Sequence, residues 1–204
     1  MTDAEKAYAA AERMIAKAKR DGDEDLDFNG GETQALEELP PSIAELSGLV
    51  HLNFNSTRLT DAGIAPLRNL PHVDSLLLSY TPITEAALSH INTLDILRIL
   101  HLNETQISDI RPLRDFASKA AASDRYHLAF DHCTAAKSDE RIAAISMIKR
   151  RQGRAQALLD LIDAGWVPPG DVVADAPLAP GYVLPPDGPM RSQDSAPLGG
   201  DEDQ

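Results

Sequence analysis

The sequence predicts an α/β solenoid: about five parallel strands whose outward side chains form a concave face, with helical caps at both ends. Three observations lead there. The skeleton L-x-x-L-x-L-x-x-T-x-[L/I] is written three times between Leu49 and Leu113, so that Leu49, Leu52, Phe54, Thr57 and Leu59 recur 24 residues later as Val73, Leu76, Leu78, Thr81 and Ile83, and again as Leu97, Leu100, Leu102, Thr105 and Ile107. Within each copy the apolar residues alternate with polar ones, the period of a half-buried strand. Aromatic residues make up only 4% of the chain, so the core is aliphatic, as stacking leucine on leucine requires.

Composition narrows the function. A net charge of −13 leaves no basic face for phosphate, which argues against nucleic acid and against an anionic membrane surface. The single cysteine, Cys133, excludes an internal disulfide and zinc sites built on cysteine pairs, and fits a reducing cytoplasm. The N-terminal stretch MTDAEKAYAAAERMIAKAKR lacks an apolar signal region, and no window approaches membrane-spanning length.

Four segments are expected: a capping helix over 1–22, repeats over 23–136, a helical cap over 137–168 and a disordered acidic Pro/Gly-rich tail over 169–204. The first helix is predicted from Thr2 to Arg20. Thr2 or Asp3 caps it, Tyr8, Ala11, Ile15 and Ala18 recur at helical spacing, Lys17, Lys19 and Arg20 suit the negative end of the dipole, and Gly22 stops it. Next comes an atypical opening repeat, 26 residues ahead of its successor. Leu26 and Phe28 take the strand positions, and Leu36, Leu39, Ile43 and Leu46 form the returning side. Asp23, Glu24, Asp25, Asp27, Glu32, Glu37, Glu38 and Glu45 face no Lys or Arg between residues 21 and 50. That block either steers a basic partner or simply solvates the terminal turn.

In the regular repeats the returning segments Asp61 to Leu70, Glu85 to Leu94 and Asp109 to Phe116 are expected to form short helical turns, the second the most helical. Thr57, Thr81 and Thr105 fall where the chain leaves the strand. A small side chain with donor and acceptor can there satisfy backbone groups that no strand neighbour reaches. A disguised strand follows 28 residues after the third copy, with Arg125, Leu128, Phe130, Cys133 and Ala135 on the same template and the polar insert SKAAASDR as a longer returning helix. Cys133 thus reads as a fourth member of this ladder. Two helices are then predicted, from Ser138-Asp139-Glu140 to a break at Gly153, and from Arg154 to Ala164, closed by Gly165.

The run Thr105-Gln106-Ile107-Ser108-Asp109-Ile110-Arg111-Pro112-Leu113 resembles the repeat of bacterial leucine-rich repeat proteins of the internalin type, with threonine where those carry asparagine. Leu39-Pro40-Pro41-Ser42-Ile43-Ala44-Glu45-Leu46 is similar to the L-P-x-x-I-x-x-L turn of cytoplasmic bacterial and plant intracellular repeats. The resemblance covers about residues 24–135. It implies protein recognition on the concave face and no enzymatic activity.

Period-2 alternation turns His51, Asn53 and Asn55, then Ser75, Leu77 and Ser79, then Ile99, His101 and Asn103, outward, with His127 and Asp131 on the last strand. Tyr80 and Glu104 lie beside them. Leu77 and Ile99 are diagonal neighbours that Tyr80 extends into a small apolar centre with a polar rim. The rival is a solvated face whose two aliphatics merely suit a strand. His51, His101, His127 and His132 with Asp131 invite a metal reading, but no ligand trio has diagnostic spacing, so no metal and no cofactor is assigned. His132 and Cys133 do not form a base and nucleophile, because neighbours in an extended chain point to opposite faces. Gly30-Gly31 and Gly199-Gly200 lack the strand-to-helix setting of a phosphate loop. The expected function is a non-enzymatic module that binds a protein or peptide. The alternative is a regulatory or targeting segment of a larger or multi-subunit enzyme system.

Overall fold

A computed structural model describes residues 1–169. It is a mixed α/β protein built on one parallel sheet of strands β1 (Asp25–Asp27), β2 (His51–Asn53), β3 (Ser75–Leu77), β4 (Ile99–His101) and β5 (His127–Ala129), in chain order. The register follows the repeat: Leu26, Leu52, Leu76, Leu100 and Leu128 are consecutive partners across the sheet. All five point inward and are buried. Beneath them runs a second row of Phe28, Phe54, Leu78, Leu102 and Phe130, with the first two rings stacked at 4.9 Å. Each such side chain contributes roughly 1.5–3 kcal/mol by leaving water.

Helix α1 (Asp3–Asp21) precedes the sheet. Its start is a capping box: the Glu5 N–H donates to Thr2 Oγ1 and the Thr2 N–H donates to Glu5 Oε2, answering two amides that have no helical partner. Gly22 at φ 72° ends it, because a left-handed residue is needed for the closing bond to Ala18. The buried face carries Ala7, Ala11, Ile15 and Ala18 and packs against β1 and the turns after it. The exposed side chains of α1 supply cations to the acidic block, as Arg13 pairs with Glu32, Lys17 with Asp23 and Lys19 with Glu45. These pairs are exposed, so they add little stability and mainly reduce repulsion.

Between strands the chain returns through 3-10 turns at Pro41–Glu45, Ala65–Asn69 and Arg111–Leu113 and through helix α2 (Glu85–Ile91). Successive turns are joined by side chains one repeat apart. Asp61 accepts from the Thr84 amide and hydroxyl, each at 2.7 Å, and Glu85 accepts from the Ser108 amide and hydroxyl at 3.1 and 3.2 Å. Asp74 is joined to Arg98 by a bidentate ion pair at the entry to the strands. Gly63 lies where two turns nearly touch: a Cβ there would stand 2.2 Å from the Glu37 carbonyl oxygen.

The insert after the third regular repeat forms helix α3 (Arg114–Ala122), and α4 (Thr134–Ser138) and α5 (Glu140–Ser146) follow β5. Helix α6 (Arg151–Asp163) runs through Gly153 and does not break there. The break falls at Met147–Arg150 instead, so Gly153 lies in the first turn, where its amide is not needed by the helical ladder and its flexibility costs least. Helix α6 packs on α3, and Trp166, 2% exposed, donates its indole N–H to Asp139 Oδ2 at 2.8 Å. Burial raises the Asp139 carboxyl, but the bonds from the Arg141 side chain, Trp166 and the Arg141 amide outweigh it and bring it down to about 2. The tail expected over 169–204 lies outside the described residues from Gly170 onward.

Candidate functional site

Each strand offers one face to the core and one outward, and the register aligns the outward side chains into rows across the sheet. One row runs Asp25, His51, Ser75, Ile99, His127 and the next Asp27, Asn53, Leu77, His101, Ala129. Their exposure is uneven. Asp25, Asp27 and His51 are exposed, Asn53, Leu77, Ile99, His101 and His127 are half-buried, and Ser75 and Ala129 are buried floor.

Several of the polar residues on this face serve the backbone. Asn55 Oδ1 accepts the Ser79 amide at 2.8 Å and Asn103 Oδ1 accepts the Asp131 amide at 2.8 Å, each from the next repeat. Asn53 Oδ1 accepts the Asn55 amide at 3.0 Å, as Asp27 Oδ1 accepts that of Asn29 at 2.8 Å. These bonds continue the ladder past the last paired strand residue, where backbone donors would otherwise stand unmatched. Ser79 is buried beside Asn55. Asp131 is the last of the series, and its Oδ1 is buried without a hydrogen-bond partner among the described residues.

His101 Nε2 and His127 Nδ1 meet at 3.2 Å with the rings edge to face, 4.8 Å apart. One ring must donate and the other accept, so the accepting ring is neutral in this arrangement. Burial lowers the basicity of both, and Arg151 and Arg154 of α6 push the same way. His127 falls to about 4. Arg154 is fixed at the sheet edge by bonds to the carbonyls of Ile148 at 2.9 Å and Leu128 at 3.2 Å. Among the described residues no group of three or more His, Cys, Asp and Glu could hold a metal ion, and no helix is long and apolar enough to cross a membrane.

Five residues beyond each strand's start the chain takes a positive φ, at Gly30, Ser56, Tyr80, Glu104 and His132, between 55° and 83°, and the opening repeat adds Gly31 at 59°. The hydroxyls of Thr57, Thr81 and Thr105, all buried, donate to the carbonyls of Phe54, Leu78 and Leu102 at 2.8, 2.6 and 2.8 Å. In the opening repeat the same task falls to Thr33, which donates to Phe28 at 2.7 Å from a 3-10 turn (Gly31–Thr33). Cys133 occupies the corresponding place after β5, and burial pushes its thiol up against the opposing pull of the Ala136 and Ala135 amides. Its thiol is buried, whereas the adjacent His132 is exposed and lies 3.8 Å from Glu104.

Tyr80 lies in the turn beyond β3, not on the strand. It is 64% exposed and lines, with Met1, Arg13, Arg58 and Pro82, a groove of about 990 Å³ between α1 and the column of turns. Most charges along that groove are already paired, Lys6 with Asp3, Arg13 with Glu32 and Lys137 with Glu104. The sheet face, by contrast, carries half-buried aliphatics and unpaired ionic groups. The Asn bonds, Thr33 and the Asp61–Thr84 and Glu85–Ser108 pairs were not anticipated from the sequence. The 24-residue recurrence of Asp/Glu at 61, 85 and 109 beside Thr/Ser at 60, 84 and 108 was the signal for the last two.

No known family model matches the chain. No curated protein matches it either. Among solved structures it is similar to the crystal structure of an internalin (inlF) from Listeria monocytogenes, at 22% identity with a TM-score of 0.48 over 71% of this chain and 46% of that one. The chain therefore spans about half the length of that protein.

Proposed function

We propose that this chain is a leucine-rich repeat solenoid acting as a non-enzymatic interaction module, which binds a protein or peptide on the outward, concave face of its sheet. The observation that carries the proposal is the pair Leu77 and Ile99, half-buried on adjacent strands, on a face whose asparagines already turn their amide oxygens to backbone N–H groups. Covering such a pair releases water at little desolvation cost from its neighbours, which is the arrangement of a small interface core within a polar rim. The catalytic alternative lacks support: Cys133 is buried, and among the described residues the paired histidines bond to each other and to no carboxylate. The test is capture of partners by wild type and by a Leu77→Lys, Ile99→Lys, His101→Glu variant, with circular dichroism to establish that the variant is folded. Loss of captured protein is expected; a partner retained equally by both refutes the assignment of the surface.

A further inference from the structure

The two ends of the sheet face carry opposite charge. At β1 the outward residues are Asp25 and Asp27, exposed carboxylates with no ion-pair partner among the described residues. At β5 they give way to the His101–His127 pair and to the start of α6. There Arg154 lies within electrostatic reach of Asp131, which offsets it, whereas Arg151 acts on both histidines and has no ion-pair or hydrogen-bond partner among the described residues. Lys149 and Arg150, just before it, also make no ion pair among the described residues. Between the ends lie Leu77 and Ile99.

We propose that the partner segment is bipolar: a stretch of protein lying across the strands, with a basic residue over β1, an aliphatic or aromatic residue over Leu77 and Ile99, and an acidic residue over β5. This rests on the proposed function of the same face and specifies the chemistry it recognises. Charge complementarity fixes the order, because a reversed segment would set carboxylate against Asp25 and cation against Arg151, and such like-charge contacts are how interfaces reject wrong registers. At the β5 end an acidic side chain would find guanidinium and imidazole N–H donors together. Four strand spacings separate the outer rows, about 19 Å. That distance is bridged by ~6 extended residues or by ~13 in a helix.

The inference is tested by panning the full chain against a phage library of random peptides about as long as the helical span. Wild type is expected to enrich peptides with one fixed order of basic, apolar and acidic residues. Asp25→Lys and Arg151→Glu alter exposed side chains that make no hydrogen bond, and each should weaken the consensus peptide about tenfold and lessen its association rate at low salt. The double variant Asp25→Lys/Arg151→Glu should enrich the reversed order. If Leu77→Lys with Ile99→Lys leaves the enriched set unchanged, or if nothing is enriched at all, the surface reading and this inference fall together. If that variant abolishes enrichment but the wild-type set shows no charge order, or the double variant does not reverse it, the surface reading stands and the bipolar partner is overturned.

Discussion

The amide oxygen of Asn55 accepts the backbone N–H of Ser79 at 2.8 Å, so a side chain of one repeat completes the backbone of the next. Asn55→Leu keeps a similar volume but strands that N–H in a partly buried setting. A loss of about 1–3 kcal/mol is expected. Asn55→Asp, which keeps the acceptor, should recover most of it. Urea denaturation of the three proteins measures the difference, and equal midpoints would show that water serves the amide as well as Asn55 does.

Tyr80 holds φ 61° while 64% exposed, and the corresponding place in the opening repeat is taken by Gly30, also at positive φ. A left-handed residue with a Cβ costs roughly 1–2 kcal/mol. Glycine returns part of that gain through its larger unfolded entropy. Tyr80→Gly should therefore raise stability by about 0.5–1 kcal/mol. A lower denaturation midpoint would mean that the ring makes stabilising contacts in the groove beside α1.

Gly63 should tolerate no side chain. The Cβ of Gly63→Ala would lie 2.2 Å from the Glu37 carbonyl oxygen and 2.8 Å from Glu38 Cα, both backbone atoms. The same strip is held by the Leu39 amide on the Gly63 carbonyl at 2.9 Å and the Thr60 amide on Glu37 at 3.0 Å. Separating the turns loses these bonds as well as packing, so a loss of about 3 kcal/mol is expected. Thermal unfolding measures it, against Gly48→Ala, which meets nothing within 4 Å.

Two windows of pH dependence follow from the titrating groups. His127 binds its proton near pH 4 when folded and near 6.5 otherwise, so between these values the unfolded chain holds more protons and stability rises with pH. That contribution is complete above about 6.5 and is lost as pH falls toward 4. Asp139, at about 2 instead of 3.8, stabilises above 3.8 and loses its contribution as pH falls toward 2. Urea midpoints across pH 2 to 7.5 should show both slopes. His127→Gln should flatten the upper one and Asp139→Asn the lower.

The strands and the inward rows were legible because the 24-residue recurrence fixes which residues are neighbours, and period-2 alternation then fixes which face each takes. Leu26 and Phe28, looser in spacing, fell into place by the same template. The roles of Asn53, Asn55 and Asn103 were not legible. Alternation shows that they point outward, but which amide lies unmatched beside them depends on where the three-residue strands stop pairing. The misplaced break at Gly153 has the same origin, since a glycine in the first turn of a helix is indistinguishable by composition from one that ends it. Adjacency sets Tyr80 beside the apolar centre, but its positive φ and its place in the groove beside α1 depend on turn geometry that alternation does not encode.

Between the regular repeats the bonds that tie one to the next share a nearly constant reach, whereas Asn103 to Asp131, across the longer insert, spans 28 residues. Asn55 to Ser79 and Asp74 to Arg98 span 24 residues, Asp61 to Thr84 and Glu85 to Ser108 span 23. Among the described residues none of these ties skips a neighbour, so cohesion resides in seams and length is quantised. An added copy of 24 residues between β2 and β4 creates one more seam of the same kind, and an insertion of half that length puts every seam beyond it out of phase.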